Sequence, residues 1–245
     1  GVVITQGTDT LEETALFFEY LWDHQEPLVL TGAMRSAKQA GAEGPANLLD
    51  ACRVALADNS RQRGVQVVMN GEIHEARYVR KTDSLALHAF SSPVFGPAGL
   101  LVEGVVRYLR QPTPRMLLPL PQHTTQNVAM LEASLSADTL LLENILELGY
   151  DGLVIAGFGA GHVSEHWACA IERIAQRIPV IVATRTGSGS TAQSSYGFIG
   201  GEVDLSRKGA LMAGFLCPRK ARILLWLLLG SQRENELARY LNNTA

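Results

Sequence analysis

The chain has 245 residues, with 21 Lys and Arg against 24 Asp and Glu, a formal net charge of −3 and an apolar share of 47%. That length can bury a sizeable core in one large or two smaller domains; mixed charge without a basic stripe removes any electrostatic case for nucleic acid or an anionic membrane surface and leaves small neutral or zwitterionic substrates open. The longest apolar stretch near the end, Ile223 to Leu229, is far short of the roughly 20 residues of a membrane span and reads as a core helix.

Val2-Val3-Ile4-Thr5 is a β-branched run that predicts a strand covered on both faces. Gly7-Thr8-Asp9-Thr10 follows. Thr10 with Glu13 predicts a capping box opening a helix on which Leu11, Ala15, Phe18 and Trp22 share one face. Thr8 and Asp9 are therefore expected at the carboxyl end of a strand, where open α/β sheets bind ligands and where the next helix offers free N–H groups to an anion. The same residue types also serve as ordinary turn and cap residues. Pro27 precedes a strand at Leu28 to Leu30, which leads into Thr31-Gly32-Ala33-Met34-Arg35. A second helix is expected from about Asn47 to Asp58 and a third strand at Val65 to Met69. Asn70-Gly71 is a two-residue turn signal, so Val67 to Met69 and Ile73 to Val79 are expected to pair as a hairpin that carries Lys81 back beside the sheet.

Pro112, Pro114, Pro119 and Pro121 mark a linker. The expected organisation is an α/β protein with a larger parallel-sheet, flavodoxin-like domain at 1–108, a linker at 109–122 and a smaller α/β domain at 123–245. In the latter, helices are expected at about Asp138 to Leu148, Glu165 to Arg177, Pro218 to Leu229 and Arg233 to Leu241, with strands at Gly152 to Ala156 and Val180 to Ala183. Gly157, Gly159 and Gly161 suggest a dinucleotide loop, but His162 stands where Gly-x-Gly-x-x-Gly needs its last glycine, so the nucleotide-binding reading is poor. Cys52, Cys169 and Cys217 are widely spaced and odd in number; buried free thiols are expected, with no metal site and no disulfide.

Gly7-Thr8-Asp9-Thr10, Thr31-Gly32-Ala33-Met34-Arg35, Gly44-Pro45-Ala46-Asn47, Val67-Val68-Met69-Asn70 and Lys81-Thr82, in this order, resemble the bacterial L-asparaginase family. The resemblance continues through Ala156 to Gly161, Thr184 to Gly189 and Pro218 to Leu225, and so covers nearly the whole chain. It implies an amidohydrolase that converts L-asparagine to L-aspartate and ammonia without metal or organic cofactor. Thr8, Asp9 and Lys81 would form the family's second catalytic triad, in which the lysine passes protons between hydroxyl, water and leaving ammonia, and Asp9 also holds the substrate's α-amino group. Gly7, Thr31, Gly32 and Ala33 would border the substrate.

The resemblance also implies a homo-oligomer in which the Gly157 to His162 loop reaches a neighbouring subunit's site. His162 would touch substrate there, or else cap the helix that starts near Ser164. Glu202 is a candidate for the neighbour's acidic contact, with a solvated loop carboxylate as the alternative, and Arg35 either pairs with an acidic group or is solvated. Gln6 replaces the His usual before Gly-Thr-Asp-Thr. The family's opening Gly-Gly-Thr strand, with its acylated Thr, and the following Tyr loop have no match, so an amino-terminal loss, an exposed edge at Val2 to Ile4 and impaired activity are expected. Related readings are a glutaminase-asparaginase and the amide-releasing subunit of a tRNA-dependent amidotransferase; from another class, a non-catalytic binding or oligomerising remnant. Cytoplasmic and periplasmic locations both stay open.

Overall fold

The computed structural model describes residues 1–242. It divides into two compact units, residues 1–117 and those from 118 onward. The first unit contains β1 (Val2–Thr5), α1 (Leu11–Leu21), β2 (Leu28–Thr31), α2 (Gly44–Leu56), β3 (Val65–Met69), β4 (Glu72–Glu75), β5 (Arg80–Lys81), β6 (Phe90–Ser91), β7 (Gly99–Val102) and β8 (Val105–Tyr108). Its main sheet has the order β1-β2-β3-β4-β7-β8. The first three strands are parallel, with Ile4 opposite Leu30 and Leu30 opposite Val67.

Alternation along β2 explains the layering. Leu28 and Leu30 pack with Leu11 and Ala15 of α1, together with Val65, Val67 and Met69. Val29 lies on the opposite face with Val68 and Ile73, under Ala51, Val54 and Ala55 of α2. Each of the buried Val, Leu, Ile and Met side chains contributes about 1.5–3 kcal/mol by leaving water. β2 and β3 are buried throughout, as β-branched and leucine-rich runs covered on both faces should be. β1 is not covered on both faces as its β-branched run predicts but is the edge strand, as the expected exposed edge has it: only Val3 and Ile4 are half-buried, and Val2 is exposed.

The sheet is parallel only as far as β3. Asn70 and Gly71, at φ 52° and 76°, form the two-residue turn that folds β4 back antiparallel on β3, with Val68 opposite Ile73. β7 and β8 extend this antiparallel half through a second turn at Glu103 and Gly104, φ 52° and 77°. β5 and β6 form a separate two-stranded ribbon.

The second unit contains β9 (Val128–Glu132), α3 (Leu140–Glu143), β10 (Gly152–Gly157), α4 (Glu165–Ala175), β11 (Val180–Thr184), α5 (Glu202–Arg207), β12 (Leu211–Met212), α6 (Pro218–Gly230) and α7 (Leu237–Asn242). Its smaller sheet, β12-β11-β10-β9, is parallel throughout. Trp167, Ala168, Ile171 and Ile174 of α4 pack on Leu153, Ile155, Val180 and Val182, while α6 packs on the same sheet and buries Ala221, Leu224, Leu225, Leu227 and Leu228. None of the described helices is long and apolar enough to cross a membrane.

Two local expectations are corrected here. The helix expected at 138–148 is a single turn, because the Asn144 amide donates to the Leu140 carbonyl and diverts it from a helical ladder. Of the three thiols only Cys217 is buried; Cys52 is half-buried, and Cys169 is exposed because it falls between the inward-facing positions 167, 168, 170 and 171 of α4.

Candidate active site

The junction of β1 with α1 sets the first part of the site. The Gln6 N–H still donates to the Thr31 carbonyl at 3.0 Å, after which Gly7, Thr8 and Asp9 turn the chain into α1. Thr10 precedes the helix but does not cap it with its side chain: at φ −118° and ψ 12° it lacks the extended geometry of a capping residue, and its hydroxyl accepts from the Gln6 amide at 3.0 Å. The same amide reaches the Thr14 hydroxyl, also at 3.0 Å. Gln6, standing where the resemblance led to a histidine, thus ties the strand end to the first turns of α1.

Lys81 arrives from the far side of the hairpin. After β4 the chain turns back, with the Tyr78 and Val79 N–H groups both donating to the Glu75 carbonyl, and β5 presents the lysine to the β1–α1 junction. Its Nζ donates to Thr8 Oγ1 at 2.9 Å and to Asp9 Oδ1 at 3.1 Å, across 73 and 72 positions of sequence. The Lys81 side chain is 19% exposed and that of Asp9 is 96% exposed. An amine, a hydroxyl and a solvent-facing carboxylate thus meet at one point.

Beside them lies an open cleft of about 390 Å³, lined by Thr5, Gln6, Gly7, Thr31, Gly32, Ala33, Gly44 and Leu48. A side chain at Gly7 would meet no atom within 4 Å, so this backbone is open to a ligand. At Gly32 the reverse holds: a Cβ would lie 2.6 Å from the Gln6 carbonyl oxygen and 3.3 Å from the Thr8 methyl, so only glycine lets the ends of β1 and β2 come this close. Thr31 is nearly fully buried and its hydroxyl donates to the Val68 carbonyl at 2.7 Å, which leaves backbone rather than side chain at the cleft. The Arg35 guanidinium bonds the Gly41 carbonyl at 3.1 Å and so closes its own loop. Asn47 fixes two strand ends at once: its amide donates to the Gly32 carbonyl and its Oδ1 accepts from the Asn70 N–H, both at 3.0 Å.

In the second unit, His162 and Glu202 come together. Gly157 to His162 form a tight loop in which the Phe158 N–H donates to the His162 carbonyl at 2.7 Å, and the helix after it is capped by Ser164 rather than by His162. His162 Nε2 lies 3.0 Å from Glu202 Oε2, with Tyr196 and Phe198 edge-on to the imidazole. Glu202 is no solvated loop carboxylate: it is fully buried at the start of α5. Burial pushes its carboxyl up, but the N–H groups of Tyr196, Glu202 itself and Ser195, together with His162, outweigh this and hold it below the usual 4.5.

Residues 1–114 match the family profile described as "Asparaginase, N-terminal", and residues 127–241 match "Glutaminase/Asparaginase C-terminal domain". The chain belongs to the asparaginase family. Among its relatives are a "Probable L-asparaginase" of Deinococcus radiodurans, 40% identical over 96% of this chain and 73% of that protein, and a "Probable L-asparaginase periplasmic" of Haemophilus influenzae, 37% identical over 96% of this chain and 67% of that protein. "L-asparaginase 2" of Escherichia coli is 33% identical over 96% of this chain and 67% of its own length.

One member of the asparaginase-family junction was not singled out as a site residue from the sequence. Glu12, in the first turn of α1, is nearly fully buried, and its Oε2 accepts the Lys81 backbone N–H at 2.6 Å. The available signal was weak: a glutamate in the first helical turn ordinarily reads as complementing the helix dipole.

Proposed function

We propose that this asparaginase-family chain hydrolyses the side-chain amide of L-asparagine to L-aspartate and ammonia, with Thr8, Asp9 and Lys81 as its proton-transfer triad and no metal or organic cofactor. The observation that carries this reading is the meeting of Lys81 Nζ with Thr8 Oγ1 at 2.9 Å and Asp9 Oδ1 at 3.1 Å. Amide hydrolysis needs an activated hydroxyl and a proton for the departing nitrogen. In the proposed sequence Thr8 itself, rather than the Thr of the family's opening Gly-Gly-Thr strand, is the attacking hydroxyl, and Lys81 takes its proton as the oxygen attacks the amide carbon. The resulting ammonium returns that proton to the leaving nitrogen, and ammonia departs. Water then cleaves the threonyl ester, which releases aspartate and restores Thr8. Asp9, exposed at the mouth of the junction, receives the substrate's α-ammonium. The cleft beside Gly7, Thr31, Gly32 and Ala33 holds the rest of the amino acid.

L-Glutamine is the second substrate to consider, since the carboxy-terminal family description names both activities. His162 and Glu202 are proposed to complete the site of another subunit in a homo-oligomer. The test is ammonia release from each amide. Lys81→Met is expected to lower kcat by roughly 10²- to 10⁴-fold with the circular dichroism spectrum unchanged. Silence of the unaltered chain on both amides, or an active Lys81→Met protein, would defeat the reading. Mixing Lys81→Met subunits with Glu202→Ala subunits is expected to restore activity; failure of the mixture to exceed its parents would count against shared sites.

A further inference from the structure

The amine of Lys81 sits at the end of four rotatable bonds, and a lysine carries about 2 kcal/mol of rotamer entropy. A fixed 2.9 Å approach to Thr8 therefore requires a fixed backbone beneath it. The strand that supplies this backbone is short: β5 is two residues long and pairs with the two residues of β6, Lys81 opposite Phe90, with the Thr82 N–H donating to the Ala89 carbonyl at 2.7 Å as one further rung. Isolated two-stranded ribbons are marginal in water.

Burial of Val79, Ala89 and Phe90 anchors the ribbon in the core, and the Lys81 backbone itself has a further hold from α1. The Lys81 N–H donates to Glu12 Oε2 at 2.6 Å, a charge-assisted bond, roughly twice as strong as its neutral counterpart. Glu12 is 2% exposed, so water does not compete for this contact. It also lies only four positions after Thr8 and three after Asp9, in the first turn of α1. The short segment that carries the hydroxyl and the carboxylate therefore also carries the clamp on the lysine's backbone.

We propose that Glu12 is a positioning residue that sets the reach of the Lys81 amine to Thr8 and Asp9 by holding the Lys81 backbone N–H. The proposal rests on the reading of Lys81 as the proton carrier, and two readouts keep them separable. The first is steady-state ammonia release. Glu12→Met fills the volume without an acceptor and is expected to lower kcat by about 10- to 10²-fold, the cost of misplacing a reacting group by about 1 Å, with little change in KM. Glu12→Gln keeps an acceptor oxygen and is expected to restore most of the rate.

The second readout needs no turnover. Pulse acylation of the folded chain with acetic anhydride, read at Lys81 by peptide mass spectrometry, is expected to rise roughly five- to tenfold in Glu12→Met, the factor that one net hydrogen bond represents, and to return to the unaltered level in Glu12→Gln. An unaltered chain silent on both amides would sink the proposed function, while the acylation pattern would still judge Glu12. If Glu12→Met fails to fold, Glu12→Asp, one carbon short, replaces it, with an intermediate rise expected. Unchanged Lys81 labelling in the folded Met or Asp variant, or a Gln variant as disturbed as Met, would overturn the proposal.

Discussion

Gly32→Ala perturbs the site through packing alone, without touching any titrating or hydroxyl group. The added methyl would lie 2.6 Å from the Gln6 carbonyl oxygen, whereas real Cβ atoms essentially never come within 3.0 Å and rarely within 3.4 Å. Relief therefore requires a movement of between 3.0 − 2.6 = 0.4 Å and 3.4 − 2.6 = 0.8 Å. The obstructing atom is backbone, so no side-chain rotation supplies it. The Gln6 carbonyl belongs to the stretch joined to Thr31 by a 3.0 Å backbone bond, and Thr8 follows two residues later. The displacement thus passes to the hydroxyl that Lys81 meets at 2.9 Å. A misplacement of about 1 Å costs about 10²-fold in rate, so a loss of roughly tenfold or more in kcat is expected here. Overpacking of this kind costs about 1–3 kcal/mol, equivalent to roughly 2–12 °C in Tm for a chain of this size. Ammonia release and a thermal scan on the same preparation test both effects. A Gly32→Ala chain with unaltered kcat and Tm would refute the claim that the close approach of the β1 and β2 ends builds the site.

Arg115→Ala is expected to destabilise the first unit by about 3–5 kcal/mol, because it strands the buried Glu19 carboxylate that Arg115 Nε meets at 2.9 Å. Burial already pushes the Glu19 carboxyl above 4.5 against the pull of Arg115, the Val65 N–H and Arg77. A raised folded value gives stability that is full below 4.5 and is lost as pH rises through the folded value. The variant's deficit in urea unfolding should therefore shrink toward pH 4.5, and a pH-independent deficit would contradict the assignment. Glu202 has the opposite sign: its carboxyl is held below 4.5, so its contribution is full above that value and is lost as pH falls through the folded one. Glu202→Gln should flatten the acid limb of the stability curve below pH 4.5, and an unchanged limb would show that the carboxylate's hydrogen bonds contribute nothing to folding.

Local rules read much of the scaffold. The buried runs of β2, β3, β10 and β11, the Asn70-Gly71 turn and the inward stripe of α1 each follow from a few neighbouring residues, and the structure contains all of them. The hairpin of β7 and β8 was missed although Glu103-Gly104 carries the left-handed turn it needs, because Val105 to Tyr108 alternates exposed and covered positions at a sheet edge and never forms a buried run. The leucines around α3 misled in the other direction. Leu140, Leu141, Leu146 and Leu148 resemble a core helix by composition, yet all four are exposed, and only Leu142 and Ile145 enter the core.

The site was legible in a different way. Nothing within a few residues of Lys81 distinguishes it from a surface lysine that closes a hairpin; its 73-residue separation from Thr8 is bridged by the topology of β3, β4 and β5, which no local pattern encodes. The family resemblance supplied that pairing, because whole blocks in fixed order carry tertiary information that spacing alone lacks. It did not supply Glu12, whose partner is a backbone N–H and leaves no trace in residue types. Gln6 escapes for a different reason, since its partners are side-chain hydroxyls. A substitution that departs from the family motif looks like lost chemistry in one dimension, but here its amide bonds Thr10 and Thr14 and holds the strand end to the helix. A contact from a side chain to backbone, such as that of Glu12 to the Lys81 N–H, emerges only once the chain is folded, and the contacts of Gln6 emerge only once the strand end and the first turns of α1 are brought together.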